Sequence, residues 1–273
     1  MEQELTMREI QLICTQMLKR FDKICRENNL TYCAAGGTML GAVRHGGFIP
    51  WDDDIDINMP RADYEKLLQL QYEDEQYAIL NYRYTKGYYH AFSKMIDKQT
   101  LLLEPSRSEK MGVFIDIFPV DYVGDYKTEA PKNVAAAWRG SNFWQHFGSD
   151  ITYHRSFSAK YIAKLVFRAT IGPFRKVLLH YFDTRFVKVP ESEYMANLQL
   201  GTYGMRECFP AALWKDIIYL PFEDTQVAVF KNYDAYLSAL FGDYMTPPPE
   251  DKRCSSHTFK AYKKTNQESL WTQ

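Results

Sequence analysis

The sequence predicts a single α+β domain that spans residues 1–273 and carries a helical insertion at about residues 130–210. Three observations lead to this fold class. A helical periodicity opens the chain, short extended segments follow to about residue 125 and resume after about residue 215, and the stretch between them has the pattern of long helices. With 46% hydrophobic residues, the 273-residue chain has enough apolar material for one sizeable core, and no repeat or low-complexity linker divides it.

The first elements follow from caps, glycines and alternation. Thr6 and Glu9 have the spacing of a capping box, and the apolar residues after them recur at helical spacing. A short strand at about residues 31–35 then runs into a Gly-Gly turn and a brief helix from about Thr38. The segment DIDINM alternates acids with apolar residues at period two, which predicts a strand that ends at Pro60.

The remaining elements are read from the same signals. RADYEKLLQL predicts a helix, and YAILNYRY, YYHAFSKMI and GVFIDIFPVDYV predict strands, the last of them ending before Pro119. NVAAAWRGSNFWQHF and the stretch from Ala159 to Phe182 predict helices, with a break at Gly172-Pro173. The C-terminal part predicts strands at IIYLPFE and TQVAVF, a helix at NYDAYLSALFG and a closing loop.

Charge and cysteine content disfavour several classes of protein. The chain has 33 Lys and Arg against 34 Asp and Glu, a formal charge of −1, so its overall charge gives no basis for nucleic-acid binding. Its five cysteines include no Cys-x-x-Cys pair, which disfavours a disulfide framework or a zinc ribbon. The first residues lack the pattern of a signal peptide, and no apolar run reaches the roughly 18 residues of a membrane span. We expect a cytoplasmic protein, in solution or peripheral on the inner face of the plasma membrane.

The acids of the DDDIDI segment are the strongest chemical signal. Asp54 and Asp56 are two residues apart, so on a strand their side chains share one face while Ile55 and Ile57 point to the core. Two neighbouring carboxylates repel each other unless a cation or a proton lies between them. Mg²⁺ or Mn²⁺ suits such oxygen ligands. The alternative is a solvated, acid-rich turn.

Two further features favour the metal site. Asp116 is the one acid inside the otherwise apolar VFIDIF segment, and buried carboxylates are rare unless they are paired or bound to a metal. Gly36, Gly37 and Thr38 form a turn that opens a helix, where backbone N–H groups can face an anion. The alternative for Asp116 is an acid that caps a turn at the end of its strand.

The order of these segments resembles a known family. GGTMLGAVRHGGFIPWDDDIDINMPRADYEKL is similar to the signature of LicD-family phosphotransferases, relatives of the fukutin group. FSKMIDKQT, GVFIDIFPVDYV and FEDTQVAVFKNYDAYLSALFGDYMTPPPEDKR resemble later blocks of that family, so the resemblance covers about residues 25–125 and 215–257. It implies a nucleotidyltransferase-like mixed β-sheet core flanked by helices.

The resemblance also implies a reaction. Such proteins transfer a phosphoryl-alcohol unit, commonly phosphocholine from CDP-choline, to a hydroxyl of a cell-surface glycan such as teichoic acid or lipopolysaccharide, or of its lipid-linked precursor. CMP is released. On this basis Gly37 and Thr38 match the phosphate-facing turn, and Asp54, Asp56 and Asp116 match the metal ligands and catalytic acids. Asp52 would assist through metal-bound water or would stabilise the loop.

Several other residues are candidates with a structural alternative. Arg44 would contact a phosphate or cap its helix at the surface, and Lys94 would meet a phosphate in the cleft or extend from a sheet edge. His45, His90, His154 and His257 would serve as acids or ligands, but they have no metal-ligand spacing and are expected to be structural. The abundant tyrosines would cage a quaternary ammonium or pack in the core. These tyrosines include Tyr82, Tyr84, Tyr88 and Tyr89.

The segment AKYIAKLVFRATIGPFRKVLLHYF mixes five cations with large apolar residues. It favours a helix that packs on the core with a basic outer face. The alternative is contact with an anionic membrane leaflet that holds a lipid-linked acceptor.

Three rival functions stay open. One is a nucleotidyltransferase that moves an NMP from an NTP and releases pyrophosphate, and another is a metal-dependent glycosyltransferase that binds a nucleotide-sugar through its Asp-x-Asp motif. The third is a binding module that keeps the fold without catalysis, which the three intact acids disfavour.

Overall fold

A computed structural model describes residues 3–103, 111–147, 162, 166–167, 169–199, 203–255, 257 and 259–264. The helices in these residues include α1 (Met7–Glu27), α2 (Gly36–His45), α3 (Arg61–Gln69), α4 (Ala130–Phe147), α5 (Arg175–Thr184) and α6 (Tyr233–Phe241). Single 3₁₀ turns lie at Gly172–Phe174, Gly204–Glu207, Ala211–Lys215 and Glu250–Lys252.

The strands are β1 (Gln3–Glu4), β2 (Cys33–Ala34), β3 (Asp56–Pro60), β4 (Tyr77–Leu80), β5 (Ser93–Asp97), β6 (Thr100–Leu103), β7 (Phe114–Tyr122), β8 (Tyr194–Asn197), β9 (Cys208–Pro210), β10 (Ile217–Phe222), β11 (Thr225–Phe230) and β12 (Lys260–Lys263). Seven of them form the central sheet, in the order β2-β3-β7-β5-β4, with β8 added to β7 and β9 added to β8. Among the described strands of this sheet, only β3 and β7 pair in parallel, so the sheet is mixed, as the resemblance implied.

Two smaller sheets flank the central one. Strands β10 and β11 form an antiparallel hairpin, and β12 lies between β1 and β6. The N-terminal strand is thereby tied to the last described residues of the chain. Both predicted C-terminal strands and the helix that follows them are confirmed.

Helix α1 begins at the predicted capping box. The Thr6 hydroxyl accepts from the Glu9 N–H while the Glu9 carboxylate accepts from the Thr6 N–H, so two otherwise unsatisfied donors are paired. The helix then packs a buried face, which includes Met17, Leu18 and Phe21, against β5, β7 and β11. This face joins one large core that also contains Ile55 and Ile57, as the alternation in DIDINM predicted.

The stretch 130–210 contains short strands as well as helices. Strand β8 pairs with β7 on the edge that β5 also uses, and β9 pairs with β8. Residues of β8 and β9 form a second, smaller apolar core with α4 and the Phe186 side chain. The predicted break at Gly172-Pro173 is a 3₁₀ turn directly before α5. The prediction of a helix from Ala159 falls partly outside the described residues.

Strand β7 is longer than the sequence predicted. The predicted end before Pro119 is wrong, because β7 continues to Tyr122 and Pro119 pairs with Met59 of β3. Proline removes one backbone donor, but its fixed φ is compatible with an extended chain. The extension matters because it carries Val120 to Tyr122 alongside β8 and so attaches the inserted strands to the sheet.

Candidate active site

Three charged side chains meet across adjacent strands at the centre of the sheet. Asp56 of β3 is the register partner of Asp116 in β7, and Asp116 is in turn the register partner of Lys94 in β5. Lys94 Nζ donates to Asp116 Oδ1 at 2.5 Å, and both residues are buried. Since paired residues on neighbouring strands project to the same face, the prediction that Asp116 lies beside Asp56 is supported by the strand register.

The loop before β3 brings two more acids to this row. Asp54 lies just outside the strand, and the Asp116 N–H donates to the Ile55 carbonyl at 2.8 Å, which fixes the end of the loop against β7. Burial and then the charges of Asp54, Asp116 and Asp52 hold the pKa of Asp56 well above its usual range. Burial and the neighbouring Asp54 raise the pKa of Asp52 to about 8. The carboxylates are therefore close enough to repel one another.

The Gly-Gly turn lies against these acids. A Cβ on Gly37 would lie 2.6 Å from Asp52 Oδ2, and one on Gly36 would lie 3.6 Å from Asp56 Oδ2. Gly36 also has a positive φ of 46°, which favours glycine. The Thr38 hydroxyl accepts from the Asp56 N–H at 2.9 Å, so it ties the start of α2 to β3. A side chain at residue 36 would strain the backbone, and one at residue 37 would displace the Asp52 carboxylate.

A second group of residues extends the acid row, and sequence reasoning missed it. His257 Nδ1 lies 2.7 Å from Asp53 Oδ1, and the Ser255 hydroxyl donates to Asp53 Oδ2 at 2.7 Å. His257 Nε2 lies 3.8 Å from Asp54 Oδ2. Burial opposes protonation, but the Asp53 hydrogen bond and the charge of Asp54 outweigh it and raise the pKa of His257. Sequence reasoning had expected His257 to be structural.

The residues present fit a divalent cation. Asp53, Asp54 and His257 each offer a ligand atom within 4.8 Å of the others, and they form the one such group among the described residues. Asp56 and Asp116 are paired in register on the adjacent strands β3 and β7, and the charge of Asp54 acts on Asp56. Oxygen-rich sets of this kind favour hard cations, and an imidazole nitrogen is also compatible with Mn²⁺. Asp54 is therefore the predicted metal ligand that the structure brings into a group with the spacing of a metal site.

Other candidates lie away from the acids. Arg44 is at the last turn of α2, about 12 Å along the helix axis from the Gly-Gly turn, and its guanidinium donates to the Tyr244 carbonyl. The Tyr82 hydroxyl donates to Asp183, and the Tyr84 hydroxyl donates to the Ile79 carbonyl. Tyr88 and Tyr89 are buried beside the His90 ring. His154, Lys160, Lys164 and Arg168 lie outside the described residues.

A mixed sheet that carries buried acids beside a Gly-Gly turn at a helix start defines a protein with a nucleotidyltransferase-like fold. The family model described as LicD/FKTN/FKRP, nucleotidyltransferase domain, matches residues 29–157, which include the turn and the acids of β3 and β7. The chain is similar to the LicD family over these residues, and the prediction of a LicD-type enzyme is confirmed at this level.

Individual relatives match different shares of the chain. The chain is 28% identical over 280 residues to the lipopolysaccharide cholinephosphotransferase LicD of Haemophilus influenzae, covering 95% of this chain and 98% of that protein. It is 39% identical over 87 residues to an uncharacterized protein of Rickettsia prowazekii, covering 32% of this chain and 30% of that protein. It is also 29% identical over 129 residues to Mannosyltransferase regulator 4 of Saccharomyces cerevisiae, covering 45% of this chain and 10% of that protein.

Proposed function

We propose that this protein is a metal-dependent phosphotransferase that moves a phosphoryl-alcohol unit from a CDP-alcohol to a hydroxyl of a cell-surface glycan or its lipid-linked precursor. The first candidate for the donor is CDP-choline, because a relative that aligns over nearly the whole chain is named as a cholinephosphotransferase acting on lipopolysaccharide. CMP is the second product.

The register pairing of Asp56 with Asp116, beside the Gly36 and Gly37 turn, carries the proposal. It places acids from two strands where a helix N-terminus presents backbone N–H groups. A nucleotide diphosphate needs both features, because N–H groups bind its oxygens and a cation held by the acids offsets its charge. A solvated turn rich in acids would leave these side chains exposed, whereas Asp116 is buried and Asp56 is partly buried.

The chain's own residues take distinct roles in this reaction. The first turn of α2 binds donor phosphate oxygens, and the Thr38 contact with β3 holds that turn in position. Asp116 accepts the proton of the acceptor hydroxyl. The hydroxyl oxygen attacks the donor phosphorus that carries the transferred alcohol, and the bond from this phosphorus to CMP breaks. Lys94 fixes the Asp116 carboxylate through their ion pair and adds positive charge near the phosphate.

The metal would be held by Asp54, Asp56 and Asp116, with Asp52 and the Asp53–His257 pair at the edge of the site. Mg²⁺ or Mn²⁺, when bound, would stabilise negative charge on the phosphoryl oxygens and on the departing CMP. His257 orients Asp53 and lies beside Asp54, so it would position the ligands.

The proposed location is the cytoplasm, with peripheral contact to the inner face of the plasma membrane where a lipid-linked acceptor is held. No helix among the described residues is long and apolar enough to cross a bilayer. The exposed side chains of Phe174, Val177 and Tyr181 on and next to α5, beside Lys176, support a surface contact.

The test is a panel of CDP-alcohols with Mg²⁺ or Mn²⁺ and glycan acceptors, followed by chromatography of the nucleotide products. We expect acceptor-dependent release of CMP, and transfer of the labelled alcohol to the glycan. Release of pyrophosphate from an NTP would instead support the nucleotidyltransferase, and release of UDP or GDP from a nucleotide-sugar would support the glycosyltransferase. Either of those results without CMP release would overturn the proposal.

A further inference from the structure

A pocket opens on the same side of the sheet as the acid row. It lies between the residues that precede β5, helix α4 and the end of α5, and its empty space of about 450 Å³ is partly open solvent. The side chains that define its chemistry are His90, Phe92, Ser141, Phe182, Arg185 and Gln199.

The pocket is one row of side chains away from the reactive acids. Phe92 precedes Lys94 by two residues and Phe118 follows Asp116 by two, and the two phenyl rings are 4.6 Å apart. Lys94 Nζ lies 5.4 Å from the centre of the Phe92 ring. Because residues two apart on a strand project to the same face at a spacing of roughly 7 Å, the Phe92 and Phe118 rings lie between the pocket and the Lys94–Asp116 pair.

The pocket lies on the acceptor side of the site. The Gly-Gly turn contacts β3 and Asp52, whereas the pocket is reached from Asp116 and Lys94 on the two strands beyond β3. If the donor diphosphate binds at the Gly-Gly turn, its reacting phosphorus lies between that turn and Asp116. The space beyond Asp116 is then open to the molecule whose hydroxyl attacks.

The charge in the pocket is positive. Arg185 donates to the Ala136 carbonyl and stacks on Phe182 and Phe186, and within the described residues no carboxylate forms an ion pair with it. Its Nε atom is buried without a hydrogen-bond partner in the same part of the chain, so some of the hydrogen-bonding capacity of the guanidinium is unused. No acidic side chain is among the residues that line the pocket.

We infer that this pocket binds a sugar of the acceptor that carries an anionic group, either a carboxylate or a phosphate. The inference rests on the proposed function for the identity of the acceptor side. Arg185 supplies a planar donor for the anion, Ser141 and Gln199 supply polar groups for hydroxyls, and the aromatic rings pack against the sugar ring. A quaternary ammonium is excluded from this pocket, because Arg185 repels it and no carboxylate attracts it.

The experiment is calorimetric titration of the full-length protein in EDTA with four probes: methyl glucuronide, glucose 6-phosphate, methyl glucoside and choline. We expect both anionic sugars to bind about tenfold or more tightly than the neutral glucoside, and choline not to compete. EDTA removes any metal that would bind the phosphate probe at the acids.

Three variants locate the binding. Arg185→Gln should remove the preference for anionic sugars, whereas Arg139→Gln removes a nearby exposed charge and should change their affinity less than about twofold. Ala91→Leu fills the pocket and leaves the Arg185 hydrogen bond in place, so it should weaken all the sugars even if Arg185→Gln folds poorly.

The outcomes separate the two proposals. Equal binding of neutral and anionic sugars, equal effects of Arg139→Gln and Arg185→Gln, no effect of Ala91→Leu, or no binding of either anionic sugar at tens of millimolar would each overturn the pocket assignment. CMP release from a CDP-alcohol is measured on the same preparations. Donor turnover without binding of anionic sugars would overturn only the pocket assignment. Binding of anionic sugars without any donor turnover would overturn only the proposed phosphotransfer.

Discussion

Strand β7 carries one acid from each of two charge clusters, and the two differ in how their carboxylates are satisfied. The arginine cluster comprises Arg61, Glu65, Arg83, Asp121 and Asp183. The acid cluster comprises Asp52, Asp53, Asp54, Asp56 and Asp116. Both contain carboxylates that are largely removed from water, so burial alone does not distinguish them.

In the arginine cluster, the carboxylates accept hydrogen bonds from the cluster's own arginines. Arg61 contacts both oxygens of Asp121 at 2.8 and 2.6 Å and reaches Asp183 Oδ1 at 2.7 Å. Arg83 donates to Asp183 Oδ2 at 2.6 Å and to both oxygens of Glu65. Every carboxylate oxygen in this cluster therefore has a cationic donor, as buried ion pairs require.

The acid cluster has fewer cationic donors than carboxylates among the described residues. Its five carboxylates face Lys94, which binds Asp116, and His257, which binds Asp53. In the described part of the chain no side-chain donor hydrogen-bonds to the carboxylate of Asp56, and burial and neighbouring acids dominate its environment. The difference teaches that unbalanced buried charge, and not burial itself, marks the place where a cation and a phosphate belong.

The largest expected effect is on catalysis. Asp56→Ala should reduce phosphotransfer by about 10³-fold or more, because it removes a charged ligand from the reacting centre. The same change should leave the stability without metal unchanged or higher, because it relieves repulsion with Asp54 and Asp116. CMP release and thermal unfolding in EDTA measure the two effects, with Glu27→Ala on the exposed end of α1 as the control. Retained turnover would contradict the assignment of Asp56.

The arginine cluster should respond in the opposite way. Asp183→Ala leaves Arg61 and Arg83 without a shared partner, and we expect it to lower the free energy of unfolding by about 3–5 kcal/mol. Urea denaturation measures this loss. If Asp183→Ala cost less than about 1 kcal/mol, the contrast between a structural and a functional cluster would disappear.

Metal binding should stabilise only the acid cluster. A divalent cation at a hundred times its dissociation constant would raise the free energy of unfolding by about 2.7 kcal/mol. We expect Mg²⁺ or Mn²⁺ to raise the melting temperature of the EDTA-treated protein. This rise should vanish in Asp56→Asn and persist in Asp121→Asn, which alters the arginine cluster on the neighbouring strand β7. An equal rise in both variants would place the metal elsewhere.

Local patterns predicted the row of charged side chains at the centre of the candidate site, whereas contacts between distant segments were not predicted. Asp56, Asp116 and Lys94 were found because each is a charged residue inside a short apolar strand, and strand alternation is a local signal. The Asp53–His257 pair joins residues 204 positions apart, and no periodic pattern in the C-terminal loop marks it.

Arg44 shows the converse case. It is close to the Gly-Gly turn in sequence, but the rise of α2 carries it to the other end of the helix. The inserted strands β8 and β9 are similarly hidden, because four and three residues are too few for a reliable alternation.

The smallest expected effect comes from Glu207, a buried acid that belongs to neither cluster. Burial raises the pKa of Glu207 to about 7, so in the folded protein it holds its proton to a higher pH than in the unfolded chain. The folded state then binds more protons between about pH 4.5 and 7, and stability falls as pH rises through that window. We expect a loss of about 2 kcal/mol, which Glu207→Gln removes because the amide stays neutral.

Urea denaturation from pH 4.5 to 8 measures this effect as the difference between the wild type and Glu207→Gln. Glu75→Gln, a change to an exposed acid, should leave the profile unchanged and serves as the control. A parallel pH profile for Glu207→Gln and the wild type would show that Glu207 is already satisfied. Burial of one carboxylate without a cationic partner would then cost no more free energy than burial of an ion-paired carboxylate in the arginine cluster. Only the number of acids around Asp56 would then distinguish the acid cluster.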